Sequence, residues 1–395
     1  GGEIEVTITA GTGYQADDGG VLLVGTLPDV LGTSSLAFTN TPAPTTQQET
    51  TTDEVTPVTP QETPSEEPAA TVSPETDTAS PAPTTGAVVE GGAAASGSGQ
   101  IVYEAADPST GARHLYRVAA NEGATPEDVS VALDALGSAA PDEWIGISPD
   151  GEWLLLGTER FDPGCAGWPC LAVVPADLSA GEAVRTGGEV VHAEGFGAIA
   201  SGGDLIVYPA GGGPHTLDLW AIARQDDGWS APVLLTGDSP YAFHHTAAFA
   251  ADGARVVFDC GDQPYAEEGT AICEVAIDGS GFRVVLTPAD APPGVPAGGA
   301  LHHPDYAPDG GIVFQSRWTD TIWRLSPDAD QPEPAGPAFA SDGSPCVLAD
   351  GRIASVWLGR PGGEGMLELK VMTPDGAAYV MLVTGVNVED IGCGG

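Results

Sequence analysis

The chain has 395 residues, with 56 Asp and Glu against 12 Lys and Arg, and a formal net charge of −44. So few cations exclude a phosphate-tracking footprint on nucleic acid and docking onto anionic lipid. No apolar run approaches the roughly 18 residues of a membrane-spanning helix. The length suits two or three domains, or one large β domain with appendages. A start at Gly1, with no initiator Met and no basic stretch, reads as a mature product whose signal sequence has been removed.

Residues 1–40 hold strand-like runs. EIEVTITA (3–10) alternates polar and apolar residues, and GVLLVGTL (20–27) and SSLAFT (34–39) follow Gly-rich turns. Forty residues without cysteine rarely fold alone. Ile4, Val6, Ile8, Val21, Leu22, Leu23 and Val24 are therefore expected to add to a sheet, in this chain or in a neighbouring subunit, as a donated strand does.

Residues 41–86 contain fourteen Thr, nine Pro, three Ser and eight acids, and no Lys, Arg or aromatic residue. Such a stretch has nothing to bury and favours extended polyproline II, with a reach on the order of 140 Å. The composition also suits an O-glycosylated stalk. Thr45, Thr46, Thr50, Thr51, Thr52, Thr56, Thr59 and Thr63 are the candidate acceptors. Residues 87–99 continue as a Gly/Ala/Ser-rich linker, so residues 41–99 form one connecting segment.

Residues 100–395 read as an all-β body of short strands and turns. A unit recurs in it: ISPDGEWLLLG (147–157), IASGGDLIVYP (199–209), FAADGARVVFD (249–259), YAPDGGIVFQS (306–316) and VLADGRIASVW (347–357). Each is a strand, a tight Gly turn and a second strand, and D-G between alternating strands is a strong hairpin signal. Third-strand segments align too, among them ARHLYRVA, TLDLWAIA and DTIWRLSPD. Four-stranded repeats of this period indicate a β-propeller. The head fragment, residues 100–133, supplies a second, third and fourth strand, and VNVEDIG (386–392) supplies a lone strand. Together they complete a sixth blade, which gives a six-bladed β-propeller closed by strands from both ends.

SPDG before an apolar strand, HHPDYAPDGGIVFQS and AIDGSGFRVVLT resemble the repeats of the TolB-like six-bladed β-propeller family, over about residues 100–392. The resemblance implies the fold and leaves function open, because its members include scaffolding proteins, binding proteins and the propeller lids of peptidases. AAFAADG departs from the family's usual aromatic-Ser-Pro-Asp-Gly string.

Six cysteines, Cys165, Cys170, Cys260, Cys273, Cys346 and Cys393, pair best in that order as disulfides of an oxidising compartment. Free buried thiols are the alternative. Zinc is disfavoured, because paired short Cys and His spacings are missing.

His244-His245 and His302-His303 stand at equivalent points before the turns at Gly253 and Gly310, and His192 precedes its own turn by eleven residues. First strands of a propeller line its channel. These imidazoles can hold a divalent metal at the channel mouth, as some propeller polysaccharide lyases resemble in using channel histidines. Otherwise one His of each pair bonds the neighbouring blade and the other faces water. There is no G-x-S-x-G nucleophile elbow and no Gly-rich phosphate loop with Lys. Asp278–Gly281 reads as a hairpin turn rather than a calcium loop. Trp144, Trp153, Trp220, Trp323 and Trp357 fall in or beside strands, whereas Trp168, Trp229 and Trp318 fall in loops, where an exposed ring stacks on sugars.

The first functional expectation is a secreted, non-catalytic structural protein. It forms a homo-oligomer or filament through residues 1–40, carries glycans on its stalk, and has no nucleic-acid partner and no integral membrane segment. A cell-surface propeller binding glycan or protein is the second. A metal-assisted polysaccharide lyase or hydrolase is the third, and the first two need no cofactor.

Overall fold

The computed structural model describes residues 94, 96–107, 109–226, 228–335, 342–358 and 365–395, with three two-residue strands upstream. The chain divides into two units, residues 1–78 and 79–395. In the first, β1 (Tyr14–Gln15) pairs antiparallel with β2 (Val21–Leu22). Of the expected assembly residues only Val21 and Leu22 belong to this hairpin. Ile4, Val6, Ile8, Leu23 and Val24 lie outside the described residues, as do the eight candidate threonines.

The second unit is an all-β propeller fold. It opens with β3 (Val89–Glu90), β4 (Gln100–Ala106), β5 (Arg113–Ala119), β6 (Glu127–Asp128) and a short helix, α1 (Ser130–Leu136). The next sheet is a meander of β7 (Asp142–Ile147), β8 (Trp153–Thr158), β9 (Cys170–Pro175) and β10 (Glu182–Ala183). A less regular sheet follows. It contains β11 (Arg185–Thr186), β12 (Glu189–Val190), β13 (Ala198–Ile199), β14 (Leu205–Ala210), β15 (Asp218–Gln225), β16 (Gly228–Trp229) and β17 (Val233–Leu234). Three further meanders come next. They are β18 (Phe243–Phe249), β19 (Arg255–Gly261), β20 (Ala271–Ala276) and β21 (Arg283–Leu286); β22 (Leu301–Tyr306), β23 (Ile312–Ser316), β24 (Thr321–Leu325) and β25 (Glu333–Pro334); and β26 (Asp342–Val347), β27 (Ile353–Leu358), β28 (Leu367–Met372) and β29 (Ala378–Val383). The last strand, β30 (Val388–Gly394), pairs antiparallel with β4, Val388 opposite Ala105 and Cys393 opposite Ile101.

The recurring turns explain the meanders. Asp150, Asp252, Asp309 and Asp350 each accept the backbone N–H two residues on, and the intervening glycines, such as Gly253 and Gly310, take positive φ. An Asx turn with Gly in the left-handed region closes a hairpin without steric cost. Between sheets the core is apolar: Leu155, Phe258 and Phe314 are fully buried, each worth about 1.5–3 kcal/mol.

Three details differ from the sequence reading. The segment read as a fourth strand through Leu133 leaves the sheet at Asp128 and turns helical. Val129 and Leu133, one helical turn apart, both bury against Leu115 and Ile145, and the Ser130 hydroxyl accepts the Leu115 N–H at 2.8 Å. Contacts of the propeller also reach upstream of residue 100. β3 adds parallel to β29, and buried Arg352 donates to the carbonyls of Ala94 at 3.1 Å and Ser98 at 2.8 Å, as well as to that of Ala120. Finally, Trp229 and Trp318 are buried, Trp229 under the Arg224 guanidinium and Trp318 donating to the Pro288 carbonyl.

The cysteines pair as Cys165–Cys170, Cys260–Cys273 and Cys346–Cys393. The last ties β26 to β30, and closing its 47-residue separation restricts the unfolded chain by about 4 kcal/mol in the chain-entropy account. Lys370, the only lysine, is fully buried in β28, ion-paired with Asp342 and 5.0 Å from the centre of the Trp357 ring.

Arg352→Ala removes the donor shared by three carbonyls from residues far apart in sequence. It is expected to lower unfolding free energy by about 2–4 kcal/mol in urea titrations, with Arg352→Lys intermediate. An unchanged midpoint would show that the upstream segment is not held this way.

Candidate functional site

Five strands that line the centre of the propeller carry a register shift at the same level. The shifts fall between Glu143 and Gly146 in β7, His245 and Ala248 in β18, and His302 and Asp305 in β22. Two more fall between Gly343 and Cys346 in β26 and between Val388 and Ile391 in β30. Within them Thr246, His303 and Ser344 adopt φ of 48°, 50° and 47°. A β-branched or bulky residue rarely sits there, and such strain concentrates at functional positions. A bulge interrupts pairing and re-aims the side chain it carries. These bulges surround a cavity of about 400 Å³ whose wall includes Phe196, Thr246, His303, Asp305 and Ser344.

The first histidine pair separates by strand period, since neighbours in a strand point to opposite faces. His244 turns toward the preceding sheet. Its Nδ1–H donates to the Leu217 carbonyl and its Nε2 accepts from the Ser239 hydroxyl, both at 2.7 Å. Burial pushes it down to about 4. Nearby, His215 lies between the Asp218 carboxylate at 2.7 Å and the Ser239 carbonyl at 3.0 Å. His215, Asp218 and His244 are close enough to share a metal. Every ring nitrogen of this group is already hydrogen-bonded, so it reads as a clasp between sheets.

His245, His302 and His303 gather instead around Asp259, a residue that the sequence reading did not single out. His302 sets Nδ1 3.2 Å from Asp259 Oδ2 and Nε2 3.1 Å from the Ala266 carbonyl. Burial drives the Asp259 carboxyl up, but the His302 hydrogen bond and the three imidazoles outweigh it and hold the group below its usual range. Four buried polar atoms here lack hydrogen-bond partners: His245 Nδ1 and Nε2, Thr246 Oγ1 and Asp259 Oδ1. Leaving such atoms unmet costs roughly 1–3 kcal/mol each, and their concentration in one place marks a site. Tyr265 lies over His245 with ring centres 4.4 Å apart. His303 meets the edge of Phe196 and is pushed down to about 4 by burial. Asp305 accepts the N–H groups of Val347 at 2.7 Å and Tyr306 at 2.8 Å, while burial raises it to about 7.

The field around the site is one-signed. Each of the ten described arginines pairs with Asp or Glu. His192 stacks on Trp168 at 4.4 Å and faces the Pro169 carbonyl with Nδ1.

No family model and no curated protein matches this chain. Among solved structures, TolB from Acinetobacter baumannii superposes with a TM-score of 0.53 at 14% identity, covering 75% of this chain and 66% of that one. Kuenenia stuttgartiensis hydrazine synthase superposes with a TM-score of 0.50 at 12% identity, covering 75% of this chain and 47% of the other. The chain thus spans about two-thirds of the first and under half of the second. The likeness is one of fold, a TolB-like propeller.

Because folded His303 titrates near 4 rather than 6.5, the unfolded chain takes up a proton there first as pH falls. The fold therefore loses about 1–3 kcal/mol from this group between pH 6.5 and 4. His303→Gln should unfold in urea with a shallower loss over that window. Parallel pH slopes for variant and parent would contradict the assignment.

Proposed function

We propose that this chain is a secreted, non-catalytic binding protein whose propeller takes its ligand at the mouth of the central channel. The observation that carries this reading is the ring of strained bulges around a cavity with unmet buried polar atoms beside it. Water-excluded polar atoms without partners are what a ligand completes. The three disulfides support an oxidising compartment.

The propeller in this reading has six blades, closed by a sheet that joins both ends of the domain. Supporting it are five regular sheets, that of β30 with β4–β6 included, and the irregular sheet of β13–β17, whose inner strand is only two residues long. A stalk over residues 41–86 would hold the propeller away from its anchor. The filament reading depends on residues 1–40, of which only the β1–β2 hairpin is described. The channel is therefore preferred.

A thermal-shift screen across oligosaccharides, peptides and divalent cations tests the proposal. At least one class should raise Tm by on the order of 5 °C at saturating concentration, and Ala247→Trp, which fills the channel from β18, should lose that shift. A shift that survives in the plugged variant, or none with any class, would sink it.

A further inference from the structure

Two of the three disulfides brace loops at the same end of the propeller. Cys165–Cys170 closes the loop between β8 and β9, and Cys260–Cys273 spans the loop between β19 and β20. Both join second to third strands of their sheets, so both loops project from the face opposite the Asp-Gly turns. Each presents one aromatic residue, Trp168 at 52% exposed and Tyr265 at 51%. The other exposed large apolar residues are scattered aliphatics: Val131, Val233, Val284 and Leu358.

Each ring is backed and held. Trp168 stacks on His192, almost parallel, with an interplanar angle of 18°. Its loop is further fixed by Asp162, which accepts the Gly164 N–H and pairs with Arg185. Tyr265, itself at a φ of 48°, lies on His245 and brings its hydroxyl against Gly195, where a Cβ would come within 3.1 Å of it. Burial, with Asp259 and Asp390 nearby, raises that hydroxyl to about 12, so it stays protonated. His192 and Gly195, three residues apart in one segment, back the two rings. Phe196, next in that segment, enters the channel.

We infer that this face binds a neutral linear glycan, with one pyranose on Trp168 and another on Tyr265. The inference goes beyond the channel reading, because the cavity is lined at the Asp-Gly turns by Asp150, Ala251 and Pro308, and the two rings stand on the opposite face. The flat carbon face of a pyranose stacks on an aromatic ring. Asp259 and His245 are buried beneath Tyr265 and back its ring, so what the two loops offer the sugar is the exposed face of each aromatic. Every described arginine is already paired, and the net charge is −44, so an acidic polysaccharide would be repelled. A protein partner would need a broad patch of about 800 Å² on this side, whereas the exposed rings are two separated platforms. Bracing lowers the entropy lost on binding, since the rings are ordered beforehand.

Calorimetric titration with cellohexaose, xylohexaose and mannohexaose tests this, with a galacturonic acid hexamer as the charged control. At least one neutral hexamer should bind and the acidic one should not. Trp168→Ala and Tyr265→Ala should each weaken binding at least tenfold with Tm unchanged. Cys165→Ser with Cys170→Ser should weaken it several-fold. No binding by any neutral hexamer, while a peptide or cation gives a shift that Ala247→Trp abolishes, would overturn the glycan and leave the channel reading standing. Glycan binding unchanged in both aromatic variants would overturn the two platforms. Glycan binding lost in the aromatic variants and kept in Ala247→Trp would confirm the platforms as a site separate from the channel.

Discussion

The constraint on which the rest depends is the backbone ladder between β30 and β4. It builds one sheet from the first and last strands of the domain, so neither segment can be ordered until the chain between them is in place. That coupling has a cost in loop-closure entropy. It is offset by burial of Ile101, Val388 and their neighbours in one apolar cluster, and by the Cys346–Cys393 bridge between adjacent inner strands. A fold assembled from such distant pairings is slow to form, because its non-local contacts are rewarded last. What it yields is an inner strand, β30, fixed by β4 on one side and by the disulfide to β26 on the other. Only in such a frame can bulges in five strands keep one level and enclose a cavity.

Much of this architecture is legible in the sequence, and the reason lies in particular residues. Asp-Gly turns are local, and Asp252-Gly253 means a hairpin whatever surrounds it. Two of the cysteine pairs flank single loops, and the third, 47 residues apart, is what remains. The bulges were hidden because Thr246, His303 and Ser344, rather than glycines, hold the left-handed backbone, and nothing in a Thr or a His announces that conformation. Strand period already implied that adjacent histidines face opposite ways. His244 leaves the group by that rule, whereas His302 and His303 both reach Asp259 because a bulge interrupts the alternation between them and Asp305. Asp259 and Tyr265 escaped notice because their loop reads as the polar filling of a disulfide. Their meaning depends on His302 arriving from the next sheet, which is tertiary information.

The electrostatics separate along the same lines as the packing. Arginines in this molecule are structural: Arg160 is forked on Asp142, Arg352 gathers three carbonyls, and Glu274 takes both Arg255 and Arg283. With the cations spent on neighbours, the excess acids set the field everywhere else. A neutral partner feels little of that field, and an anionic one is kept away.

Lys370 carries this partition to its end. The single ε-amine of the chain lies in the core beside Asp342, so the folded surface offers no primary side-chain amine. Reagents and enzymes that act on lysine, whether by acylation, isopeptide formation, glycation or aldehyde crosslinking, find no target on the side chains of the intact molecule. That makes the surface chemically quiet toward them. Any modification of Lys370 becomes a direct report that the propeller has opened.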